Sequence, residues 1–180
     1  MIDGEKNIIE RAIGGEASAF GRLYDEYQPK IYRFIYLKVG HREEAEDLCH
    51  QTFISAWENI NNYRFQGYLF STLLYSIARN KVIDYYRAKK TTVNLEIETI
   101  QILEIGVSNE QLIDTRLEME KAKEAILKLN PLEQDVIIMR FIEDLSPKEI
   151  AKSLDKSEVA IRQIQHRAIK NLKKILEINE

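Results

Sequence analysis

Cysteine, proline and glycine are scarce in this chain of 180 residues, which holds one cysteine, three prolines and seven glycines. The single cysteine, Cys49, excludes an internal disulfide and is typical of a protein from a reducing compartment. So few glycines and prolines cannot supply the many tight turns of an all-β protein. No apolar run approaches the ~20 residues of a membrane span, and the polar start MIDGEKNIIERA is unlike a secretory signal peptide. These absences predict a soluble, cytoplasmic, all-α protein.

Neither sign of charge predominates, because 26 basic and 29 acidic side chains give a formal net charge of only −3. The charges are unevenly spread, however. Residues 1–90 carry 13 basic and 12 acidic side chains, residues 91–120 carry 1 and 7, and residues 121–180 carry 12 and 10. The acidity therefore belongs to a middle segment between two slightly basic parts. This distribution removes the electrostatic objection to DNA binding.

The chain divides into three parts by pattern. Residues 1–90 show repeated 3.6-residue apolar stripes and predict several helices. Residues 91–111 lack helix caps and alternate apolar with polar residues, which predicts a flexible acidic linker with a little extended structure. Helical periodicity restarts near Leu112, so residues 112–180 predict a second small helical domain.

Two helix starts in the last part carry the same signature. Asn130–Pro131–Glu133 and Ser146–Pro147–Glu149 each combine a capping residue, a proline at the first helical position and an acid in capping-box spacing. The second begins SPKEIAKSLDKSEVAIRQIQHRAIKNLKK, which reads as a short helix, a turn at Asp155 and a long basic helix capped by Ser157. This arrangement predicts a helix-turn-helix.

The long helix of this motif has two distinct faces. We expect its core face to comprise Val159 or Ala160 with Ile161, Ile164, Ala168 and Leu172. The opposite face carries Arg162, Gln163, His166, Arg167 and Lys170. Arginine can bond guanine and glutamine can bond adenine bidentately in the major groove, while lysine neutralises phosphates. The alternative is a solvated polar face on a small bundle, but the capped first helix and short turn favour DNA binding.

Two blocks of sequence resemble bacterial sigma factors. EEAEDLCHQTFISAW (Glu43–Trp57) with FSTLLYSIARNKVIDYYR (Phe70–Arg87) is similar to their region 2, and Lys128–Leu172 is similar to their region 4. The absence of a domain between the blocks matches the extracytoplasmic-function (ECF) group of the sigma-70 family. One departure is Val159–Ala160–Ile161, which replaces the GTV that opens the family's recognition helix.

The resemblance implies a function and a set of sites. Residues 1–90 would bind core RNA polymerase and recognise and melt the −10 element of promoter DNA, and residues 112–180 would read the −35 element. The implied polymerase contacts are Glu44, Glu46, Asp47, Leu48, Gln51, Phe53 and Trp57. The implied −10 contacts are Tyr68, Phe70, Arg79, Asn80, Lys81 and Arg87. The implied −35 contacts are the exposed helix face named above, including Arg162 and Lys170.

Several other expectations accompany this interpretation. Many relatives are held inactive by an anti-sigma factor, although no residue here identifies such a partner. We expect no cofactor, small-molecule substrate or membrane insertion, and no catalytic site. His41, Cys49 and His50 lack a fourth partner at metal-site spacing, so no metal site is predicted. The main alternative is a helix-turn-helix transcriptional regulator with a helical sensory N-terminal domain. A third hypothesis is a decoy protein that binds polymerase without binding DNA.

Overall fold

In the computed structural model, residues 4–64, 67, 69–92 and 122–178 are described. Every regular element in these ranges is helical, which confirms the predicted all-α fold. No helix within them is long and apolar enough to cross a membrane. The described residues form two compact units, an N-terminal unit with residues 4–92 and a C-terminal unit with most of residues 122–178. The linker predicted for residues 91–111 lies outside the described residues from residue 93 onward, as does the predicted helical restart near Leu112.

The N-terminal unit consists of four helices and a short turn. These are α1 (Glu5–Ile13), α2 (Ala17–Val39), α3 (Arg42–Glu58), a 3-10 turn (Ile60–Asn62) and α4 (Phe70–Thr92). α2 continues through Pro29 without a break. It ends where Gly40 adopts a positive φ of 80°, a conformation that glycine reaches without a steric penalty. The next helix, α3, then begins at Arg42 after His41.

The core of this unit lies where α2 meets the other helices. α2 packs against α1, α3 and α4, and α3 packs against α4. Phe34 and Tyr75 meet edge to face at its centre, with ring centroids 5.3 Å apart. The buried apolar side chains follow the helical spacing seen in the sequence: Ala19, Leu23, Tyr27, Ile31, Phe34 and Ile35 in α2, and Ala45, Leu48, Phe53 and Ala56 in α3.

A buried carboxylate joins three helices of the unit. Glu5, which is 6% exposed, accepts a hydrogen bond of 2.9 Å from the Tyr27 hydroxyl. It also accepts one of 2.6 Å from the backbone N–H of Phe70. The first N–H groups of a helix have no partner within it, so Glu5 acts as the cap of α4 from 65 residues away. This contact fixes where α4 begins relative to α1 and α2.

The C-terminal unit is built from the remaining helices. These are α5 (residues 122–127), α6 (Pro131–Ile137) with a π-helical turn (Ile138–Ile142), α7 (Pro147–Leu154) and α8 (Glu158–Ile178). Both predicted helix starts are confirmed. The Glu133 N–H donates to Asn130 Oδ1 at 3.0 Å. At Ser146, the backbone N–H donates to Glu149 Oε2 at 2.8 Å and the Glu149 N–H donates back to Ser146 Oγ at 3.3 Å.

The core of the C-terminal unit is formed mainly by α6 and α8, which pack along each other. Its fully buried side chains include Val136, Ile138, Met139, Ile150 and Ile161. Asp155 occupies the turn between α7 and α8 with a positive φ of 50°, as the sequence predicts. Aspartate tolerates this left-handed conformation better than most residues other than glycine. The turn therefore allows α8 to start in a new direction immediately after α7.

Candidate nucleic-acid interface

α8 separates a buried face from a polar face. Its first turn is capped by Ser157, whose Oγ accepts from the Ala160 N–H at 3.2 Å. Ile161, Ile164 and Ala168 are buried beneath it. The five residues predicted to contact the −35 element are all exposed: Arg162, Gln163, His166, Arg167 and Lys170. At the start of the helix the sequence left Val159 and Ala160 as alternatives for the core face, and the structure favours Ala160, which is half-buried, because the Val159 side chain is 65% exposed.

Arg167 differs from the other polar residues of α8, because a buried carboxylate holds it. Its Nε donates to Glu133 Oε1 at 2.8 Å, and the Glu133 side chain is 2% exposed whereas that of Arg167 is 59% exposed. Asn171 Nδ2 lies 3.1 and 3.2 Å from the two oxygens of the same carboxylate. Arg167 is thus a structural tie between α8 and α6 as well as a surface cation.

The surroundings of Glu133 favour its charged form. Burial raises the pKa of this carboxyl group, but hydrogen bonds from Arg167, Asn171 and Asn130 and the positive charge of Arg167 outweigh burial, so the pKa is lowered. By contrast, Arg162 pairs only loosely with Glu158, at 3.8 Å between two exposed side chains. Such a surface pair contributes little and opens easily.

α4 presents a second exposed polar face. Asn80 and Arg87 are exposed, and with Asp84 they follow the i, i+4, i+7 spacing of one helix side. The Arg87 guanidinium lies 3.5 Å from the Asp84 carboxylate. Arg79 and Lys81 flank this face and are half-buried. Tyr68, also predicted to contact the −10 element, lies outside the described residues.

Phe70 requires a correction. Its side chain is 0% exposed and lies among aromatic neighbours, with the Tyr63 ring 5.5 Å away and the Phe20 ring 6.4 Å away. A ring enclosed on all sides cannot stack on an unpaired base. The prediction that Phe70 contacts DNA is therefore wrong for this structure, because the first turn of α4 points its aromatic residue into the core.

α3 divides its predicted polymerase contacts between the core and the surface. Asp47 and Gln51 are exposed. Trp57 is 37% exposed and packs on Phe20, with ring centroids 4.8 Å apart. Leu48 and Phe53 are only 7% and 3% exposed, so the prediction that they contact a partner directly is wrong. They belong to the stripe that packs α3 on the unit.

The two remaining acidic residues of that set are already paired. Glu46 accepts a hydrogen bond of 2.6 Å from Arg42 Nε, and both side chains are exposed. Glu44 is half-buried and accepts one of 3.5 Å from the Tyr85 hydroxyl. Of the acidic residues in the set, Asp47 is therefore the one whose exposed carboxylate has no ion-pair or hydrogen-bond partner in the described part of the chain.

Ile54 is the surface residue that the sequence interpretation missed. It is 44% exposed and falls on the same side of α3 as Asp47, Gln51 and Trp57, at the spacing of successive turns. The sequence could have indicated this exposure, because Ile54 lies between Phe53 and Ala56 in the chain but outside the helical stripe that these buried residues form. The outer face of α3 is thus an apolar pair, Ile54 and Trp57, beside polar groups.

Comparison with known proteins identifies the two units. The family model of Sigma-70 region 2 matches residues 23–92, and that of Sigma-70 region 4 matches residues 125–174. SigW of Bacillus subtilis, an ECF RNA polymerase sigma factor, is 32% identical over 180 residues, which cover 95% of this chain and 96% of SigW. The chain belongs to the ECF sigma factors. Sigma factors are non-catalytic subunits of RNA polymerase.

Further similarities agree with this ECF sigma factor assignment. BldN of Streptomyces coelicolor, another ECF RNA polymerase sigma factor, is 38% identical over 172 residues, which cover 94% of this chain but 64% of BldN itself. Among solved structures, CnrH in complex with the cytosolic domain of CnrY matches with a TM-score of 0.76. That match covers 98% of this chain and 99% of CnrH at 21% identity, and it shows a shared fold.

The ECF sigma factor carries no metal cluster in its described residues. No group of three or more histidine, cysteine, aspartate or glutamate side chains there could hold an ion. Of the three residues considered from the sequence, His50 is exposed and His41 is half-buried, while Cys49 is buried. Burial raises the pKa of the Cys49 thiol to about 11, so it remains protonated at neutral pH.

Proposed function

We propose that this ECF sigma factor binds core RNA polymerase, directs it to specific promoters by reading −10 and −35 elements, and promotes DNA-templated initiation. The observation that carries the proposal is the face of α8, where Arg162, Gln163, His166, Arg167 and Lys170 are all exposed above a buried apolar stripe. The nucleotide chemistry belongs to the polymerase, so the sigma factor needs no catalytic site of its own. It acts in the cytoplasm, where the polymerase transcribes.

On the −35 element, α8 enters the major groove with its first turns against the base edges. Arg162 and Gln163 are the base readers, since arginine bonds guanine and glutamine bonds adenine bidentately. The exposed pair of Arg162 with Glu158 opens at little cost when a base replaces the carboxylate. His166 extends the reading face, and Lys170 neutralises a phosphate one turn further on.

On the −10 element, α4 supplies Asn80 as a base contact and Arg87 as a phosphate contact. Their shared helix side supports this division, because both would meet the same strand. Arg79 and Lys81, half-buried on either flank, would contact the backbone beside them. Tyr68 remains a predicted base-stacking residue.

The polymerase docks on the outer face of α3. Asp47 and Gln51 supply polar contacts, while Ile54 and Trp57 supply the apolar centre of the interface. Interfaces of this kind are enriched in aromatic residues at the centre and have charge at the rim. A partner surface that is basic and partly apolar complements this face. Glu44 and Glu46 add negative charge nearby.

The test is transcription reconstituted from the purified protein, core RNA polymerase and genomic DNA, with transcript ends mapped. We expect polymerase-dependent transcripts that share −10 and −35 sequences, and weak DNA binding by the protein alone. The weak binding follows from the near-balanced charge of residues 121–180, with 12 basic and 10 acidic side chains. Tight DNA binding without polymerase, and no transcript with it, would instead favour a helix-turn-helix regulator. Polymerase binding without transcription would favour a decoy.

Two variants, each with a matched control, separate the surfaces. R162A should lose initiation from −35-dependent promoters while retaining polymerase binding, whereas K6A removes an equally exposed positive charge from α1 and should change neither. I54D should abolish polymerase binding, because it buries a charge at the apolar centre. L176D places the same charge at an exposed apolar position of α8 and should leave polymerase binding intact. Equal effects within either pair would contradict the assignment of that surface.

An anti-sigma factor is a further proposed partner. The exposed apolar side chains Tyr24, Ile54 and Trp57 lie on neighbouring helices of the N-terminal unit. A protein that covered them would exclude the polymerase from α3. We therefore expect any such inhibitor to compete with core polymerase, and I54D to weaken both interactions together in a competition binding assay.

A further inference from the structure

Val159, on the first turn of α8, is the most exposed of the large apolar side chains in the described part of the chain, at 65%. The Val159 side chain does not contribute to the core, because Ile161 and Ile164 are the buried residues at this end of the helix. Valine is also a weaker helix former than alanine, since its branched side chain is restricted in a helix. An exposed valine at this position therefore points to a role outside the fold.

The side chain lies among groups suited to base recognition. Arg162, Gln163 and His166 follow Val159 at i+3, i+4 and i+7, so all four belong to one side of α8. Together they line a shallow concavity on the surface of the C-terminal unit. The three neighbours are polar, and Val159 alone among the four has no hydrogen-bonding group.

We infer that Val159 recognises the 5-methyl group of a thymine within the −35 element, an inference that rests on the proposed function. Base edges in the major groove present donors, acceptors and one apolar substituent, the thymine methyl. Valine facing a donor or acceptor would remove its water without replacing the hydrogen bond, which is unfavourable. Facing a methyl group, it buries apolar surface on both sides. Val159 therefore selects thymine at one position.

The location of Val159 agrees with this contact. The N-terminal residues of a recognition helix are the ones that contact base edges. A short side chain there can reach a methyl group that projects into the groove, whereas the longer Arg162 and Gln163 reach hydrogen-bonding groups on adjacent pairs. Val159 thus adds a third recognition element to the two that the residue types of α8 already supply.

The test replaces thymine by deoxyuridine, which lacks the methyl group but keeps every hydrogen-bonding group. Full-length protein and core RNA polymerase are assayed on a mapped promoter in which each thymine of the −35 element, on either strand, is replaced in turn. Initial rates of run-off transcription are measured at limiting holoenzyme. Wild type should lose about fourfold at one position, the effect of one buried methyl group.

V159A should be insensitive to that replacement, whereas L176A, which truncates an exposed apolar residue at the other end of α8, should keep the wild-type loss. Hydrogen exchange of α8 in V159A should be unchanged or slower, because alanine favours the helix. The inference is overturned if wild type tolerates uracil everywhere, if V159A shows the same loss, or if the mapped element contains no thymine. Absence of any promoter-dependent transcript would overturn the proposed function, and the inference with it.

Discussion

Replacing Arg167 by alanine should destabilise the C-terminal unit, although the side chain lies on the surface expected to face DNA. Its Nε bonds Glu133 at 2.8 Å, and that carboxylate is almost entirely buried. Removing one partner of a buried ion pair costs about 3–5 kcal/mol. Here the loss is smaller, since Asn171 still contacts both carboxylate oxygens and Arg167 is 59% exposed and partly screened by solvent. We expect about 2 kcal/mol, the value of one hydrogen bond to a charged group.

R162A is the matched control for this prediction. It makes the same change on the same helix, but its ion pair with Glu158 joins two exposed side chains at 3.8 Å. Pairs of this type contribute about 0.3–0.5 kcal/mol. The two variants should therefore differ by about 1.5 kcal/mol in the free energy of opening the C-terminal unit, even though both remove one arginine from the surface.

The assay must report on the C-terminal unit of the full chain. Fluorescence of Trp57 is unsuitable, because this tryptophan lies in the N-terminal unit. Amide hydrogen exchange of buried α8 residues such as Ile161 and Ile164 measures the opening directly. R167A should accelerate exchange about 30-fold, and R162A about twofold. Equal rates in the two variants, without DNA present, would refute the role of Glu133 as an anchor for Arg167.

Three further predictions concern buried polar contacts and helix caps. The pKa of Glu133 is lowered on folding, so its contribution to stability is present above its unfolded pKa of ~4.3 and is lost as pH falls through the folded pKa. The stability advantage of wild type over E133Q, measured by hydrogen exchange, should therefore shrink on acidification. An advantage that grows would contradict this. E5Q should destabilise the N-terminal unit by about 2 kcal/mol in urea unfolding followed by Trp57 fluorescence, because Tyr27 and Phe70 donate to different oxygens of Glu5 and the amide NH2 that replaces one oxygen cannot accept. E10Q, at an exposed ion pair, should be neutral, and equal midpoints of the two variants would refute the buried role of Glu5. S157A should cost about 1 kcal/mol by exchange in the first turns of α8, and unchanged exchange there would exclude capping.

Salt should affect two kinds of charged contact on α8 differently. Arg162 and Lys170 are exposed, so their contacts with phosphates or bases would weaken as salt rises. The Arg167–Glu133 pair has one partner buried and should be screened less. A rise in salt should therefore reduce promoter binding well before it changes hydrogen exchange in α8.

Local patterns in the sequence were sufficient for the secondary structure and the helix-turn-helix. Capping residues and apolar spacing act over three or four residues, so Asn130, Ser146 and Ser157 could be recognised as helix starts without a structure. The same holds for Asp155 in the left-handed turn. The exposed face of α8 also followed from spacing alone, because its opposite face is a continuous apolar stripe.

The sequence was less informative wherever an apolar stripe has an edge. Phe53 and Ile54 are adjacent, yet one is 3% and the other 44% exposed. Val159 and Ile161 differ in the same way, at 65% and 0%. Which residue at an edge is buried depends on how far the helix is rotated against its neighbours, and periodicity does not determine that rotation to within one residue.

By itself, the sequence determined an all-α chain, its helix starts and the family to which it belongs, because these depend on short-range spacing. Tertiary structure alone decided that Glu5 caps α4 from 65 residues away and that Glu133 anchors Arg167 across 34 residues. It also decided that Phe70 is core and that Val159 and Ile54 are surface. The physical reason is that a buried carboxylate takes its hydrogen-bond donors from whichever helices pack around it, and those neighbours are far away along the chain.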